Sequence, residues 1–438
     1  MRTETSTVPL FASASFAGGG EIVVGGGRVL RLVEGAWVDE GPLGADAGIR
    51  HVAFSTDGER VAACADDGDT SWVGIHEQEA GAWQEVARLE APSGCSAGQA
   101  LSLDGDLVAF GSGTQVVVHA SDAEGWAHQA TLESPAPVGS VEWGSFGSHV
   151  SLSGRRLALL TRSTPSWVVR IHVLEDGEWV QEAELPSPRP SYPDARQAFE
   201  LDGGLLAVGD SHANLRGGSA GVVSVFRLDE DGWSLDEQVF GESTSPGDRF
   251  GISLSLSHGV LSVGACEDQS PTGRGTAMVF RRLADGWEEV ALVYPEEPQA
   301  GYYGMATTLL ADGSVIVAGQ VGPDVHEYRF QGLTPEVSAP GSSVPLRLAL
   351  AGGALRFDFE DLGEQLVEAH VLHAGTLGDW TGTETIACGS GGLVAGESGR
   401  RRFTVALPPG DRFFLVGADG HHGPGRLGAD WAGVARCP

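Results

Sequence analysis

Short runs in which apolar residues alternate with polar ones, or stand together in groups of four to six, follow one another along most of the chain, with Gly, Asp and Ser between them. QAFEL, LLAVGD, GVVSVFRL and WSLDEQVF, between Gln197 and Phe240, make one such set. Alternation with period two and runs of this length predict strands, and dipeptides such as Asp-Gly between them predict tight hairpins. No window carries the 3.6-residue apolar stripe of an amphipathic helix, so almost no helix is expected.

The sets repeat. A tryptophan after a polar turn closes EGAW at Trp37, AGAW at Trp83, AEGW at Trp126, DGEW at Trp179, EDGW at Trp233 and ADGW at Trp287, at spacings of 43 to 54 residues. Glycines mark a second column, in the turn between the first two strands of each set: Gly19, Gly58, Gly105, Gly154, Gly203, Gly259 and Gly313. A period of this size suits four short strands per unit and signals a β-propeller, and seven glycine turns predict seven blades. Each unit reads as strand A, glycine turn, strand B, a variable loop, strand C, a polar turn and strand D opening on tryptophan. The last unit, YGMATTLLA, SVIVAG and VHEYRF, has no fourth strand before the chain enters GLTPEVSAPGSSVP. An unpaired edge needs a partner, and the extended stretch from about Thr3 to Leu10 is expected to return there and close the ring.

DRFGISLSLSHGVLSVGACED followed by GTAMVFRRLADGW resembles a bacterial FG-GAP repeat, the unit of integrin-α-like propellers. Phe250 and Gly251 supply its Phe-Gly pair and Val263, Gly264 and Ala265 its Val-Gly-Ala run, while Phe146 with Gly147 and Tyr303 with Gly304 repeat the pair. The resemblance covers about three quarters of the chain and implies recognition of other proteins or matrix, in an extracellular or cell-surface setting. Calcium-binding members carry an Asp-rich loop between strands A and B. Here those connections are as short as LDGD at Asp104 and LDGG at Asp202, too short to wrap an ion that needs six to eight oxygens. No metal site and no cofactor is expected.

Beyond the propeller, assigned to residues 1–333, and a linker over 334–344, residues 345–438 alternate again in VPLRLALAGGALRFDFED, LVEAHVLHAG and RRFTVALPPGDRFFLVGAD. This predicts a small antiparallel β-sandwich. It resembles a fibronectin type III-like module, with Leu355, Phe357 and Phe359 in an early core strand and Phe413 to Val416 in a late one. The fold class is thus all-β, a seven-bladed propeller followed by a sandwich.

Charge narrows the partners. The chain has 59 acidic residues against 27 basic ones, a net charge of -32, and all its basic residues are arginine. Such a field repels phosphate backbones, so nucleic acid is not an expected partner; the acidity reads most simply as a solvated surface. No run of about 18 apolar residues is present to span a membrane, and MRTETSTVPLFASASF lacks the basic start and apolar core of a signal peptide. Of the five cysteines, Cys388 and Cys437 could pair in the final domain, whereas Cys64, Cys95 and Cys266 read as structural, with Cys64 and Cys266 as buried thiols in apolar runs.

Candidate chemistry is sparse. His76, His119 and His172 each precede their tryptophan by seven residues, the offset at which Phe226 and Phe280 stand, so they are a strand C column rather than ligands. His421 and His422 lie in a glycine-rich loop without a metal-site spacing. No nucleophile elbow, zinc helix or phosphate loop occurs, and no catalytic residue is assigned. Aromatics outside the repeat stand out: Trp72 and Trp167 where a B–C loop enters strand C, Trp143 in the connection from blade three to blade four, and Tyr302 and Tyr303 in the connection into blade seven. B–C loops and inter-blade connections share one face, where these rings, with Asp66, Asp67, Arg162 and Asp210, could seat a sugar or a peptide side chain; packing between blades is the competing explanation. The expected function is non-catalytic recognition of a protein or glycan. The alternatives are a carbohydrate-active hydrolase or lyase using carboxylates near the channel, and a structural scaffold.

Overall fold

The computed structural model describes residues 3–424 apart from 8–15, 44–49, 67–69, 92–99, 142–144, 163–166, 189–196, 268–274, 295–302, 311–314, 319–324, 331–346, 361–368, 377–382, 394–399, 407–411 and isolated turn positions, with side chains almost entirely within 22–330. Seven four-stranded antiparallel sheets carry the repeat. Blade one holds β2 (Phe16–Gly19), β3 (Ile22–Gly25), β4 (Arg28–Val33) and β5 (Ala36–Pro42). Blade two follows with β6 (Arg50–Thr56), β7 (Val61–Asp66), β8 (Ser71–Glu79) and β9 (Ala82–Glu90). Blade three is built of β10 (Leu101–Asp104), β11 (Leu107–Ser112), β12 (Gln115–Asp122) and β13 (Gly125–Glu133). Blade four contains β14 (His149–Ser153), β15 (Arg156–Arg162), β16 (Trp167–Glu175) and β17 (Glu178–Pro186). In blade five the strands are β18 (Gln197–Asp202), β19 (Leu205–Asp210), β20 (Val222–Asp229) and β21 (Gly232–Val239). Blade six has β22 (Phe250–Ser257), β23 (Val260–Ala265), β24 (Thr276–Leu283) and β25 (Gly286–Val293).

The seventh sheet is discontinuous in sequence. To β26 (Ala306–Leu309), β27 (Val315–Ala318) and β28 (Val325–Phe330) it adds β1 (Thr3–Thr7), which pairs with β28 from Thr3 opposite Phe330 to Thr7 opposite His326. The strands that open each sheet, β2, β6, β10, β14, β18, β22 and β26, touch one another in succession, and β26 touches β2. The ring is closed.

Two devices bring neighbouring sheets together near the axis. Strand A residues that face the following blade are short and polar: the Ser55, Ser102, Ser151 and Ser255 hydroxyls accept the amides of Leu103, Leu152, Leu201 and Leu309 at 2.9, 2.9, 3.0 and 3.1 Å. Glycines do the rest. A Cβ on Gly111, Gly209 or Gly264 would collide with the carbonyl oxygen of Gly147, Gly251 or Gly304 on the next blade, and these three partners lie in the left-handed region at φ 77, 87 and 82°. The Phe-Gly pair of one blade therefore packs on the strand B glycine of the blade before it, with Phe146, Phe250 and Tyr303 buried beside the contact.

Farther out, tryptophan holds the blades. The indole N–H groups of Trp37, Trp83, Trp179 and Trp233 donate to Glu327, Glu40, Gln129 and Glu182 of the preceding blade at 2.9, 3.0, 3.0 and 3.0 Å. Arg31 and Arg156 hold two of those carboxylates at 2.6 and 2.9 Å. Leucine, valine and alanine from facing sheets fill the space between.

The cysteine expectation needs correction. Cys64 is disulfide-bonded rather than a thiol, whereas Cys266 is a buried cysteine outside any disulfide. Cys95, Cys388 and Cys437, and so the proposed Cys388–Cys437 bond, lie outside the described side chains. The C-terminal part contains two four-stranded antiparallel sheets. One joins β29 (Arg347–Ala351), β30 (Ala354–Glu360), β34 (Arg400–Ala406) and β33 (Gly392–Leu393); the other joins β32 (Thr383–Gly389), β31 (Ala369–Thr376), β35 (Arg412–Gly420) and β36 (Gly423–Pro424).

Gly264→Ala forces a methyl group into the Gly304 backbone and is expected to cost about 3 kcal/mol or more. Gly81→Ala, in an open turn at φ 83° with nothing within 4 Å, should cost about 1 kcal/mol. Urea midpoints of the two variants check the difference.

Candidate functional site

Strand order fixes what each face of the ring can present. On one face strands A and B meet in two-residue turns, as Asp104 opposite Leu107, Ser153 opposite Arg156 and Asp202 opposite Leu205 show. Gly105, Gly154 and Gly203 adopt φ of 55, 55 and 56° there, as a primed hairpin turn demands. The aspartates of these turns reach across to the next blade: Asp104 accepts the Gly154 amide at 2.5 Å and Asp202 the His258 amide at 2.6 Å. Burial raises the Asp104 pKa; the Gly154 bond opposes this, while the like charges of Asp57, Asp202 and Asp106 add to it. Among the described residues no group of three or more His, Cys, Asp or Glu is arranged to hold a metal ion.

The other face carries the B–C loops and the connections between blades. Its best-described part is the B–C loop of blade five, residues 211–221, packed on the connection 240–249. Backbone bonds join them at Gly247 N to Gly218 O, Arg249 N to Ser219 O and Phe250 N to Ala220 O, at 2.9, 3.0 and 3.0 Å. Arg216 spans the seam, its guanidinium 4.6 Å from the Phe240 ring centre and donating to the Gly241 carbonyl at 3.0 Å. Ser219 and Arg249 sit in the left-handed region at φ 53 and 58°, so both loops hold conformations that L side chains rarely take. Arg249 also pairs with Glu267 at 3.3 Å.

Several residues expected on this face turn inward, which is a correction. Trp72 is 3% exposed, donates to Glu85 at 3.0 Å and lies under the Arg88 guanidinium at 4.1 Å. Trp167, also 3% exposed, packs edge-on to Phe226 across the seam between blades four and five, at 6.3 Å between ring centres. Tyr303 is buried, and its hydroxyl meets Tyr328 at 2.9 Å and His326 at 3.1 Å. Asp210 is buried as well, with its carboxylate on the His212 amide at 3.2 Å. A large ring gains more from burial than from water: Trp167 and Tyr303 join clusters that span two blades, and Trp72 is buried against β9 of its own blade. Arg162 ends strand B of blade four half-buried, opposite Trp167 in the ladder. Asp66 ends strand B of blade two with its side chain outside the described ones; Asp67, Trp143 and Tyr302 lie outside the described residues. Among the described ones, Trp72, Trp167, Tyr303 and Asp210 are buried and do not form one exposed cluster.

Val138 and Val141 were not singled out by sequence and are, among the described residues, the most exposed large apolar residues of this face, at 82 and 57%. They lie in PAPVGSV, the same connection as Trp143. Two prolines just before a pair of valines in a loop were the available signal.

The histidine column is internal. Each of His76, His119 and His172 stands at a bulge in the C–D ladder. Burial, the largest cause, lowers all three pKa values, His119 and His172 to about 4, with His128 and Arg170 adding repulsion to the latter two.

No protein-family model and no curated protein matches the chain. Among solved structures it is similar to a WD40 domain of coronin from Toxoplasma gondii, at 12% identity and a TM-score of 0.46 over 78% of this chain and 93% of that one. A putative 6-phosphogluconolactonase from Bacteroides fragilis matches at 11% identity and 0.44 over 94 and 97% of the two chains. A chain of the mitotic checkpoint complex matches at 13% identity and 0.47 over 75 and 91%. The sheet pairing itself defines the class, an all-β seven-bladed propeller.

Trp72→Ala and Trp167→Ala are therefore expected to act on stability, by about 3–5 kcal/mol each in urea unfolding. An unfolded chain protonates its histidines near 6.5, whereas the half-buried His119 and His172 resist down to about 4. The unfolded state binds more protons across that window, so their contribution is present above pH 6.5 and lost as the pH falls to about 4. In a His119→Phe, His172→Phe variant, melting temperature should fall less between pH 7 and pH 4.5 than in the parent.

Proposed function

We propose that the protein is a non-catalytic recognition module that binds a protein or a glycan on the face bearing the B–C loops and inter-blade connections. The observation that carries this reading is the asymmetry of the ring. One face is closed by two-residue turns tied to the next blade, whereas the other carries loops long enough to vary, one pair of them already locked into a rigid platform. Function concentrates on loops that a rigid scaffold positions. Val138 and Val141, with Trp143 and Tyr302, supply apolar contact in this reading, and Arg162 polar contact.

The interlocked Phe-Gly and strand B glycines support an FG-GAP, integrin-α-like repeat over residues 1–333, since both halves of that motif are explained by one contact. The C-terminal sheets fit a fibronectin type III-like module over 345–438 that spaces or presents the propeller. The Cys64 disulfide accords with an oxidising, extracellular setting. The hydrolase alternative needs free carboxylates near the channel, whereas Asp104 and Asp202 of the A–B turns are held on backbone amides.

Binding to an array of glycans and matrix proteins, with calcium and with chelator, tests the proposal. A saturable hit that persists in chelator, and weakens at least roughly tenfold in a Val138→Asp, Val141→Asp variant of unchanged melting temperature, is expected; tenfold is about 1.4 kcal/mol. A hit untouched by this variant and by Trp143→Ala would move the site off this face.

A further inference from the structure

In blade two a carboxylate is held between an indole and a guanidinium. Glu85 accepts the Trp72 Nε1–H at 3.0 Å and the Arg88 Nε–H at 2.7 Å. Blade four presents the same two kinds of donor without a carboxylate between them. Arg162 stands directly opposite Trp167 in the β15–β16 ladder, and residues paired in this way lie on one side of the sheet. That side faces blade five, because Trp167 and, at alternate positions of β15, Ala158 and Leu160 belong to the cluster between these two blades. The Trp167 Nε1 is buried and has no acceptor. Among the described side chains Arg162 is the arginine whose guanidinium meets no partner. Most of the others lie against a carboxylate, Arg155 is spent on the Leu174 carbonyl, and Arg216 on the Phe240 ring and the Gly241 carbonyl.

The carboxylates of the adjoining strands are committed elsewhere. Glu182 holds Arg156 and Trp233, and Glu184 holds Arg170. Asp210, at the end of β19 on the same seam, is buried with its carboxylate on the His212 amide. A buried N–H without an acceptor and a half-buried guanidinium without a partner both cost free energy, and one incoming carboxylate recovers both.

We propose that the mouth of the seam between blades four and five, on the face bearing the B–C loops, binds a carboxylate of a peptide ligand, with Arg162 and the Trp167 indole as its donors. The site presupposes that this face is the recognition surface and gives its ligand a chemistry. Arg162 is held ready by its own backbone: its amide donates to the Ser145 Oγ at 2.9 Å, and its carbonyl accepts the same hydroxyl at 3.2 Å. Ser145 belongs to the connection that exposes Val138 and Val141, so aliphatic contact is offered beside the cation. A sugar ring stacks on aromatic faces, and Trp72, Trp167 and Tyr303 are buried. An acidic peptide with aliphatic neighbours therefore fits this surface better than a uronate. In a chain of net charge -32 such a ligand is held by short charge-assisted bonds rather than drawn in by the overall field.

Indole N–H resonances of the full chain, followed by two-dimensional NMR and assigned with Trp167→Phe, test the site. The probes are acetyl-Val-Asp-Val-amide, its Asn counterpart, acetyl-Val-Val-Val with a free terminal carboxylate, and glucuronate. The Trp167 resonance should move downfield and saturate with the Asp peptide or the free-acid peptide, the stronger of the two showing whether a side-chain or a chain-end carboxylate is preferred, and stay in place with the Asn peptide. Arg162→Gln, at unchanged melting temperature, should weaken binding in calorimetry by roughly tenfold or more. Arg162→Lys, which keeps the charge and loses the fork, should restore only part of it. An Asn peptide that binds as the Asp peptide does, a Trp167 resonance that neither acid moves, or an Arg162→Gln protein that binds like the parent would overturn the proposal. Glucuronate binding more tightly than both acids would overturn its peptide assignment. An array ligand weakened by Val138→Asp, Val141→Asp but not by Arg162→Gln would leave the recognition reading standing and sink this site. If Trp167→Phe does not fold, the contrast between the Asp and Asn peptides in the parent, and its loss in Arg162→Gln, decide alone.

Discussion

Seven sheets that radiate from one axis are closest where their first strands meet, and the rest of the molecule answers to that crowding. Near the axis there is no room for a side chain between Gly111 and Gly147, Gly209 and Gly251, or Gly264 and Gly304, and backbone rests on backbone. A little farther along strand A the gap admits a hydroxymethyl group, which is why serine recurs and why its oxygen lands on the amide of the next blade. At the rim the sheets diverge, and an indole fills the space. Residue size thus increases from axis to rim because the gap does, and the sequence repeat is the chemical record of a wedge.

The same geometry changes the meaning of the acidity. Carboxylates that a composition would assign to solvent act as acceptors between blades: Glu40, Glu182 and Glu327 for indole N–H groups, Asp104 and Asp202 for turn amides, and Glu237 for the Trp287 amide at 3.0 Å. Asp236 joins blades five and six through Arg282 at 2.6 Å. Charge-assisted hydrogen bonds of this kind are stronger than neutral ones, and an acceptor-only group suits a seam whose other side presents N–H donors. Part of the negative charge is therefore ring architecture.

The architecture was legible because each blade meets the same wedge. Trp37 to Trp287 and the glycine turns form columns, and a column survives the loss of any one member: blade seven lacks the tryptophan, and blade one shows no Phe-Gly, yet both sheets form. The histidine column was legible for the same reason, since phenylalanine at the same offset in blades five and six marks the site as a packing position. Cys64 was not legible, because an apolar run reads the same around a thiol and around a disulfide.

The candidate site was far less visible, and the reason is physical. An aromatic at a loop boundary of a propeller has two destinations, solvent or the cleft between adjacent sheets, and both lie within one side-chain length of the same backbone position. Trp167 and Tyr303 took the cleft, and Trp72 is buried against its own sheet, where burial rewards a large ring. Being off the pattern of tryptophans did not make them available to a ligand. The informative departures occupy a column yet break its chemistry. Glu200 stands three residues before its turn glycine, as Ser55, Ser102 and Ser151 do, and a titratable group there was visible in the aligned repeats before any coordinate was known. A repeat protein states its packing through its columns. Where one column changes its residue, the contact it makes can persist: Glu200 accepts the Leu256 amide of the next blade as the serines accept theirs.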